Sequence, residues 1–211
     1  MIHYYLKKIQ YFFFKKYGFP KQSLDYFNNN KKKTVISFSS IEGNKLSIQK
    51  NEFFSLTKKY NILFVKDITR SWLNNVDTDL VKKVLKNDST DFAIGYSMGA
   101  FNAIIFSNLF PIKKVIAFSP QFSIHPKISK DKTFLNYAAA IDIWKFKLLK
   151  FSSKTKYILV FGDTYEENYH MNMIPKAKNI KIIQIKNCGH ETAKAFKKNN
   201  ELNNLINKFF K

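Results

Sequence analysis

A serine between two glycines stands where a short apolar run meets a segment with helical spacing. The pentapeptide Gly95-Tyr96-Ser97-Met98-Gly99 fits the pattern G-x-S-x-G. In a strand-turn-helix setting, the serine of this pattern takes a strained backbone conformation that projects its hydroxyl above the sheet. Glycines on either side let the strand and the helix approach each other closely. We therefore predict that Ser97 is a nucleophile.

A serine hydroxyl needs a base, because it is a weak nucleophile at its ordinary pKa. The sequence offers four histidines, namely His3, His125, His170 and His190. His190 follows the last apolar run, and open α/β sheets place their sites at the carboxyl ends of such strands. The preceding Gly189 lets the loop turn back toward the serine. The sequence predicts His190 as the general base.

The base needs an acid that fixes its tautomer and stabilises its positive charge. Asp163 ends the apolar run before that of His190, so the two should lie side by side at one edge of the sheet. Glu166 and Glu167 are alternatives that lie farther from the strand end, and Asp142 is a poorer candidate inside a predicted helix. We predict Asp163 as the acid, which gives the chain order serine, acid, histidine.

Six short apolar runs, separated by helix-length spacers, indicate parallel strands that are buried on both faces. We expect a three-layer α/β/α domain with a mostly parallel sheet of about six strands. The predicted strands are residues 34–38, 61–65, 92–96, 114–118, 157–161 and 180–185. Helical spacing predicts helices over residues 77–86, 99–109 and 191–210.

Two further segments have less regular patterns. Residues 1–33 are basic and aromatic, and we expect them to pack on the core of a domain formed by residues 34–211. The alternative for residues 1–20 is a basic helix that lies on a membrane surface. Residues 121–156 form a long connection with an apolar helical patch at 134–144, which predicts a small helical cap over the site.

Composition limits the classes of partner and compartment. The net charge is +21, but almost all of it is lysine and Arg70 is the single arginine, so we expect solvated lysine faces and no nucleic-acid partner. The single Cys188 excludes intramolecular disulfides, and no histidine pair has metal-ligand spacing. With no transmembrane run or secretory signal, we expect a cytoplasmic protein without cofactor or metal.

From residue 34 to its end the chain resembles the α/β-hydrolase superfamily, on the strength of Ser97, Asp163 and His190 at strand ends in this order. The resemblance implies that the first two antiparallel strands of the family are missing or replaced by residues 1–30. It also implies an oxyanion hole made by the amide of Met98 and one amide from the loop after the first core strand. That loop holds Ser39, Ser40 and Ile41, without the familiar His-Gly pair.

Segments after the second and fourth predicted strands are similar to small bacterial hydrolases associated with surface polysaccharides, and distantly to the hydrolase-like portion of accessory secretion proteins. The residues that carry this similarity are 66–72, 95–99 and 118–121. We expect Arg70, Trp72, Tyr96 and Gln121 to contact substrate, with Arg70 binding an anion and Trp72 stacking on a sugar or lining an acyl pocket. Alternatively, Arg70 pairs with an internal acid such as Asp67 and Trp72 belongs to the core.

The sequence predicts a serine hydrolase that cleaves a carboxylic ester or thioester through a Ser-His-Asp triad and an acyl-enzyme, with a small molecule or an acylated saccharide as substrate. An acyltransferase with the same triad is one alternative, because sequence does not distinguish water from an alcohol as acceptor. A non-catalytic interaction protein that keeps the hydrolase fold, and binds membranes through residues 1–20, is the other.

Overall fold

A computed structural model describes residues 20–41, 49–85 and 90–210 of the chain. Within these residues one seven-stranded sheet has the order β1-β3-β2-β4-β5-β6-β7. The antiparallel pair is β1 with β3, and every other neighbouring pair is parallel. The strands are β1 Gln22–Phe27, β2 Thr34–Phe38, β3 Asn61–Asp67, β4 Thr90–Tyr96, β5 Lys114–Phe118, β6 Lys156–Phe161 and β7 Ile180–Gln184.

Helices cover both faces of the sheet, because successive apolar residues of the central strands point to opposite sides. In β2, for example, Ile36 packs in one hydrophobic cluster and Val35 in the other. The first cluster includes α1 and α2, and the second includes the last two helices. This arrangement confirms the predicted three-layer α/β/α architecture.

The helices are short, and none in the described ranges is long and apolar enough to cross a membrane. They are α1 Thr78–Leu85, α2 Met98–Phe106, α3 Leu135–Ala138, α4 Tyr165–Asn172, α5 Thr192–Lys198 and α6 Glu201–Phe209, with a 3₁₀ helix at Phe54–Lys58. The single terminal helix predicted over 191–210 is divided at Asn200, which has a left-handed φ of 59°. Asparagine tolerates this conformation better than most residues, and so ends α5.

The amino-terminal part of the described chain adds a seventh strand to the six that were predicted. β1 pairs with β3 from Gln22–Asp67 to Phe27–Ile62 at the edge of the sheet. One antiparallel strand is therefore present where the family resemblance implied that both were missing or replaced. Residues 1–19, which make up most of the predicted basic segment 1–33 and of the alternative membrane-surface helix 1–20, lie outside the described residues.

The connection over residues 121–156 lies on the same side of the sheet as α2, but it is mostly irregular. Its helix α3 spans four residues, whereas the pattern predicted a helical patch over 134–144. Ile141 is buried while Asp142 and Ile143 are exposed, and β-branched residues with an aspartate between them favour helix weakly. The cap is therefore a folded loop that carries one helical turn.

Candidate active site

Ser97 lies in the sharp turn between β4 and α2 and is almost completely buried. Its φ of 53° and ψ of −122° are strained for a residue with a side chain. The Ser97 amide donates to the Phe118 carbonyl at 2.8 Å, which ties the turn to β5. A Cβ on Gly95 would collide with the backbone of Gly99, and one on Gly99 would collide with the Phe38 carbonyl. Only glycine at these positions lets strand and helix meet closely enough to form the turn.

His190 reaches Ser97 from the loop that follows β7. Its Nε2 lies 2.8 Å from Ser97 Oγ, across 93 residues of sequence. The aromatic rings of Tyr96 and Phe134 lie near the imidazole, at centroid distances of 5.3 and 6.2 Å. Burial, with nearby carboxylates adding to it, raises the pKa of Tyr96, so its phenol stays neutral beside the histidine. The structure thus brings the predicted nucleophile and base into direct contact.

The carboxylate on the far side of His190 belongs to Glu167, in the first turn of α4. Glu167 Oε1 lies 2.7 Å from His190 Nδ1. The other oxygen, Oε2, accepts from the Gly162 amide at 3.0 Å and lies 2.9 Å from Ser119 Oγ. Because Glu167 is 3% exposed and both its oxygens are hydrogen-bonded, its position is closely fixed.

The prediction that Asp163 partners His190 is wrong. Asp163 Oδ2 accepts from the amide of Asn187 at 2.8 Å, and Oδ1 from the amide of Cys188 at 3.1 Å. These backbone hydrogen bonds lower the pKa of Asp163. Asp163 therefore shapes the loop that carries His190, while Glu167, one of the two alternatives considered, supplies the carboxylate.

Ser119 connects the parts of this site and was not singled out from the sequence. It directly follows β5, is buried, and has a left-handed φ of 47°. Its Oγ lies 2.9 Å from Glu167 Oε2, 2.7 Å from the His190 carbonyl and 2.8 Å from Thr192 Oγ1. The sequence signals for it were its place at the carboxyl end of a buried strand and within the segment 118–121 that carries the resemblance.

The predicted oxyanion residues have different environments. Met98 is the first residue of α2, and a helix leaves the amides of its first turn without intrahelical partners. Ser39 donates its amide to the Val65 carbonyl at 3.0 Å and its hydroxyl to the Lys50 carbonyl at 2.8 Å. The amide and hydroxyl of Ser40 both contact Glu52 Oε1, the amide at 3.1 Å. These contacts occupy the donors of Ser39 and Ser40, so neither is supported as the second oxyanion donor, and the expectation of one amide from this loop stays a prediction.

Of the predicted substrate residues, Tyr96 and Gln121 line the cleft above Ser97, whereas Trp72 does not. Trp72 has no exposed surface and donates its indole N–H to Gln121 Oε1 at 3.0 Å. Its predicted stacking on a sugar is wrong, because the cap residues Phe134 and Tyr137 cover it, at centroid distances of 5.3 and 5.7 Å.

Arg70 donates hydrogen bonds to two backbone carbonyls of neighbouring segments. Its Nε donates to the Ile41 carbonyl at 2.9 Å and its Nη1 to the Ile68 carbonyl at 3.2 Å. It is 6% exposed, so the predicted binding of a substrate anion is not supported. Asp67, the acid considered as its partner, instead accepts from the amides of Ser71 and Leu73, each at 3.0 Å.

The cleft above Ser97 has a volume of about 590 Å³. Its walls combine aromatic rings with carboxylates, and they include Tyr96, Phe134, Tyr137, Asp131, Glu166 and Glu191. Asp131 Oδ2 lies 3.0 Å from Nε2 of the buried His170, which joins the cap to α4. Among the described residues, no group of three or more His, Cys, Asp or Glu side chains is arranged to hold a metal ion.

No family model and no curated protein sequence matches this chain. Solved structures do match it along most of its length. An α/β-hydrolase enzyme from a Medee basin deep-sea metagenome library is 15% identical with a TM-score of 0.55, over 90% of this chain and 94% of that one. The chain has the α/β-hydrolase fold.

Two further structures with this fold are similar to the chain. The capsule O-acetyltransferase of Neisseria meningitidis serogroup A is 22% identical with a TM-score of 0.62, over 89% of this chain and 92% of that chain. A carboxylesterase from Bacillus subtilis is 12% identical with a TM-score of 0.50, over 97% of this chain and 96% of that chain. Proteins described as a hydrolase, an esterase and an acetyltransferase thus share the architecture of this chain.

Proposed function

We propose that this α/β-hydrolase-fold protein is a serine enzyme that cleaves carboxylic esters or thioesters through an acyl-enzyme on Ser97. The observation that carries the proposal is the continuous hydrogen-bonded series from Ser97 Oγ to His190 Nε2 at 2.8 Å and from His190 Nδ1 to Glu167 Oε1 at 2.7 Å. A nucleophile, a base and an acid in this order meet the geometric requirement for an activated serine. The triad is Ser-His-Glu.

Each step of the reaction has a group in place. His190 Nε2 removes the proton from Ser97 as Oγ attacks the carbonyl carbon, and Glu167 stabilises the imidazolium that forms. The Met98 amide, at the positive end of α2, stabilises the oxyanion. As the tetrahedral intermediate collapses, His190 gives the proton to the departing alcohol or thiol. An acceptor then attacks the acyl-enzyme with His190 again acting as base, and Ser97 is regenerated.

The walls of the cleft favour a hydroxyl-rich, uncharged alcohol part. Tyr96, Phe134 and Tyr137 offer ring faces, while Glu166 and Glu191 offer oxygens that accept from hydroxyl groups. The same carboxylates repel anions, in spite of the positive net charge of the chain. An acylated saccharide with a small acyl group meets these requirements and is of a size that suits the cleft volume of about 590 Å³.

Acyl transfer to a saccharide hydroxyl is a second candidate. It is favoured by the similarity to the capsule O-acetyltransferase. One structure of that enzyme is a complex with CoA, and it matches this chain with 20% identity and a TM-score of 0.57. The same triad serves both reactions, because only the acceptor differs. Product analysis with acetyl-CoA or a p-nitrophenyl ester, with and without added saccharides, distinguishes them: transfer gives an acylated sugar, and hydrolysis gives free acid alone.

The test of the proposal is turnover of p-nitrophenyl acetate and acetyl-CoA by wild type and by Ser97→Ala. We expect Ser97→Ala to lose at least about 10⁴-fold in kcat, as for other serine triads. Ser123→Ala is the matched control, since Ser123 is equally buried and donates to the Lys147 carbonyl at 2.6 Å. Equal turnover by wild type and Ser97→Ala would refute the proposal. Binding of vesicles or saccharides with no turnover of any ester by wild type would instead favour the non-catalytic alternative.

A further inference from the structure

Gln121 and Trp72 form a buried connection to Ser97 that lies outside the triad. Gln121 Nε2 lies 3.2 Å from Ser97 Oγ, and Gln121 Oε1 accepts from Trp72 Nε1 at 3.0 Å. Gln121 is 1% exposed and Trp72 is completely buried. Within the part of the chain that the structure describes, Ser97 Oγ therefore has two hydrogen-bond partners, His190 Nε2 and the Gln121 amide.

The orientation of the Gln121 amide follows from the chemistry of its partners. An indole N–H only donates, so the Gln121 oxygen must face Trp72 and its NH₂ group must face Ser97. The Ser119 carbonyl, which only accepts, lies 3.2 Å from the same Gln121 nitrogen and requires the same orientation. Both ends of the amide are thus assigned without ambiguity.

Together with the Glu167 carboxylate, this orientation sets the direction of each hydrogen bond from Trp72 through Gln121, Ser97 and His190 to Glu167. Ser97 Oγ accepts from Gln121, so its own hydrogen is left to point at His190 Nε2. At the other end, ionised Glu167 only accepts, so His190 Nδ1 carries a hydrogen and Nε2 is the free base. The donor-only indole of Trp72 and the acceptor-only carboxylate of Glu167 therefore select the one tautomer that can activate the serine.

Trp72 is itself held in a strained turn. Arg70, Trp72 and Leu73 have left-handed φ angles of 52°, 50° and 67°. Such conformations each cost on the order of 1–3 kcal/mol and persist where the surroundings enforce them. Here the Asp67 carboxylate enforces the turn, because it accepts from the amides of Ser71 and Leu73.

We propose that Gln121 is a further catalytic residue, whose amide fixes the direction of the Ser97–His190 hydrogen bond, and that Trp72 is the positioning residue that orients this amide. The inference rests on the proposed function of Ser97. For Trp72 it replaces the expectation of a direct contact with substrate. During attack the Gln121 N–H stays on Oγ and stabilises the negative charge that develops as the proton moves to His190.

Three variants test the proposal, each with kcat and KM measured on p-nitrophenyl acetate. Gln121→Met keeps the length of the side chain and removes all three of its hydrogen bonds, to Ser97, Ser119 and Trp72, and we expect kcat to fall about 10-fold with KM within about 2-fold. In Gln121→Glu, a carboxylate oxygen faces Ser97 and competes with His190 for its hydrogen, so we expect a loss of about 100-fold. Benzothienylalanine in place of Trp72 keeps the ring shape without the N–H, and we expect kcat to fall several-fold, by less than in Gln121→Met.

Matched controls separate this role from a loss of packing. Ser123→Ala lies on the same segment and should keep wild-type kcat, and the melting temperature of each variant shows whether it folds. A larger loss for Gln121→Glu than for Gln121→Met, at equal KM, supports the proposal. Wild-type kcat in folded Gln121→Met, or losses that follow the melting temperatures alone, would overturn it.

Ser97→Ala distinguishes failure of the inference from failure of the proposed function. If Ser97→Ala is inactive while folded Gln121→Met is unimpaired, only the role of Gln121 is refuted. If Ser97→Ala retains turnover, the function proposed for Ser97 fails, and the inference fails with it.

Discussion

Replacing Glu167 by glutamine tests the assignment of the acid, because the two side chains have the same shape but different hydrogen-bonding capacity. In the wild type, Oε1 faces His190 Nδ1 and Oε2 accepts from the Gly162 amide at 3.0 Å. The backbone N–H of Gly162 only donates, so the single oxygen of the glutamine amide must face it. The NH₂ group then faces His190 Nδ1 and forces that nitrogen to accept. His190 Nε2 would carry the hydrogen and could not take the proton of Ser97.

The expected loss is large because the variant stabilises the wrong tautomer and also removes the charge that balances the imidazolium. An acid-to-amide change of this kind in a serine triad lowers kcat about 10⁴-fold, which corresponds to roughly 5.5 kcal/mol in the transition state. The assay is kcat on p-nitrophenyl acetate near neutral pH, with the melting temperature measured on the same preparation. We expect Glu167→Gln to remain folded and to lose activity by this amount.

Asp163→Asn is the matched control, since the sequence favours Asp163 as the acid and the structure places it on backbone amides. Its loss removes part of the support for the loop of Asn187 and Cys188, so we expect a fall in kcat of less than about 10-fold. If Asp163→Asn lost about 10⁴-fold and Glu167→Gln less than 10-fold, our assignment of the acid would be refuted.

Three further outcomes follow from the structure. Ser119→Ala should lower kcat about 10-fold with KM unchanged, because the Glu167 carboxylate loses a hydroxyl donor at Oε2; an unchanged kcat would contradict this. Gly99→Ala should lower the free energy of unfolding in urea by about 1–3 kcal/mol, because its Cβ meets the Phe38 carbonyl; an unchanged urea midpoint would contradict the close approach. Burial of Asp131 acts to raise its pKa, but hydrogen bonds from His170 and Thr133 outweigh this effect and lower the pKa from 3.8 to about 2. Because the pKa of Asp131 is lower in the folded state than in the unfolded state, its ionised form contributes about 1–2 kcal/mol of stability, allowing for screening by solvent. This contribution should be present above about pH 4 and lost as pH falls through about 2. Asp131→Asn should remove this part of the loss of stability in acid, and an Asp131→Asn variant with the wild-type dependence of stability on pH would contradict this.

The sheet and the turn at Ser97 could be predicted because local sequence determines them. Strands buried on both faces leave runs of apolar residues, and Gly95 and Gly99 mark the close contact that the turn requires. β1 was missed because it lies at the edge of the sheet, where partial exposure weakens the apolar pattern. The break at Asn200 was missed because the apolar face continues from α5 to α6.

The identity of the acid could not be settled by counting residues from a strand end. Asp163 and Glu167 both follow β6, and what separates them is which backbone amides face each carboxylate in three dimensions. The amides of Asn187 and Cys188 take both oxygens of Asp163, whereas α4 turns Glu167 back toward His190. Likewise, the burial of Trp72 depends on how Phe134 and Tyr137 of the cap pack on it, which the helical pattern over 134–144 does not determine.

The most direct test of the central claim is to trap the acyl-enzyme. Wild type mixed with p-nitrophenyl acetate and quenched in acid should gain one acetyl group by intact mass, and peptide mapping should place it on Ser97. Ser97→Ala should gain none, and Glu167→Gln should gain it far more slowly. An acetyl group that maps to another residue, or that forms equally fast in Ser97→Ala, would contradict our account.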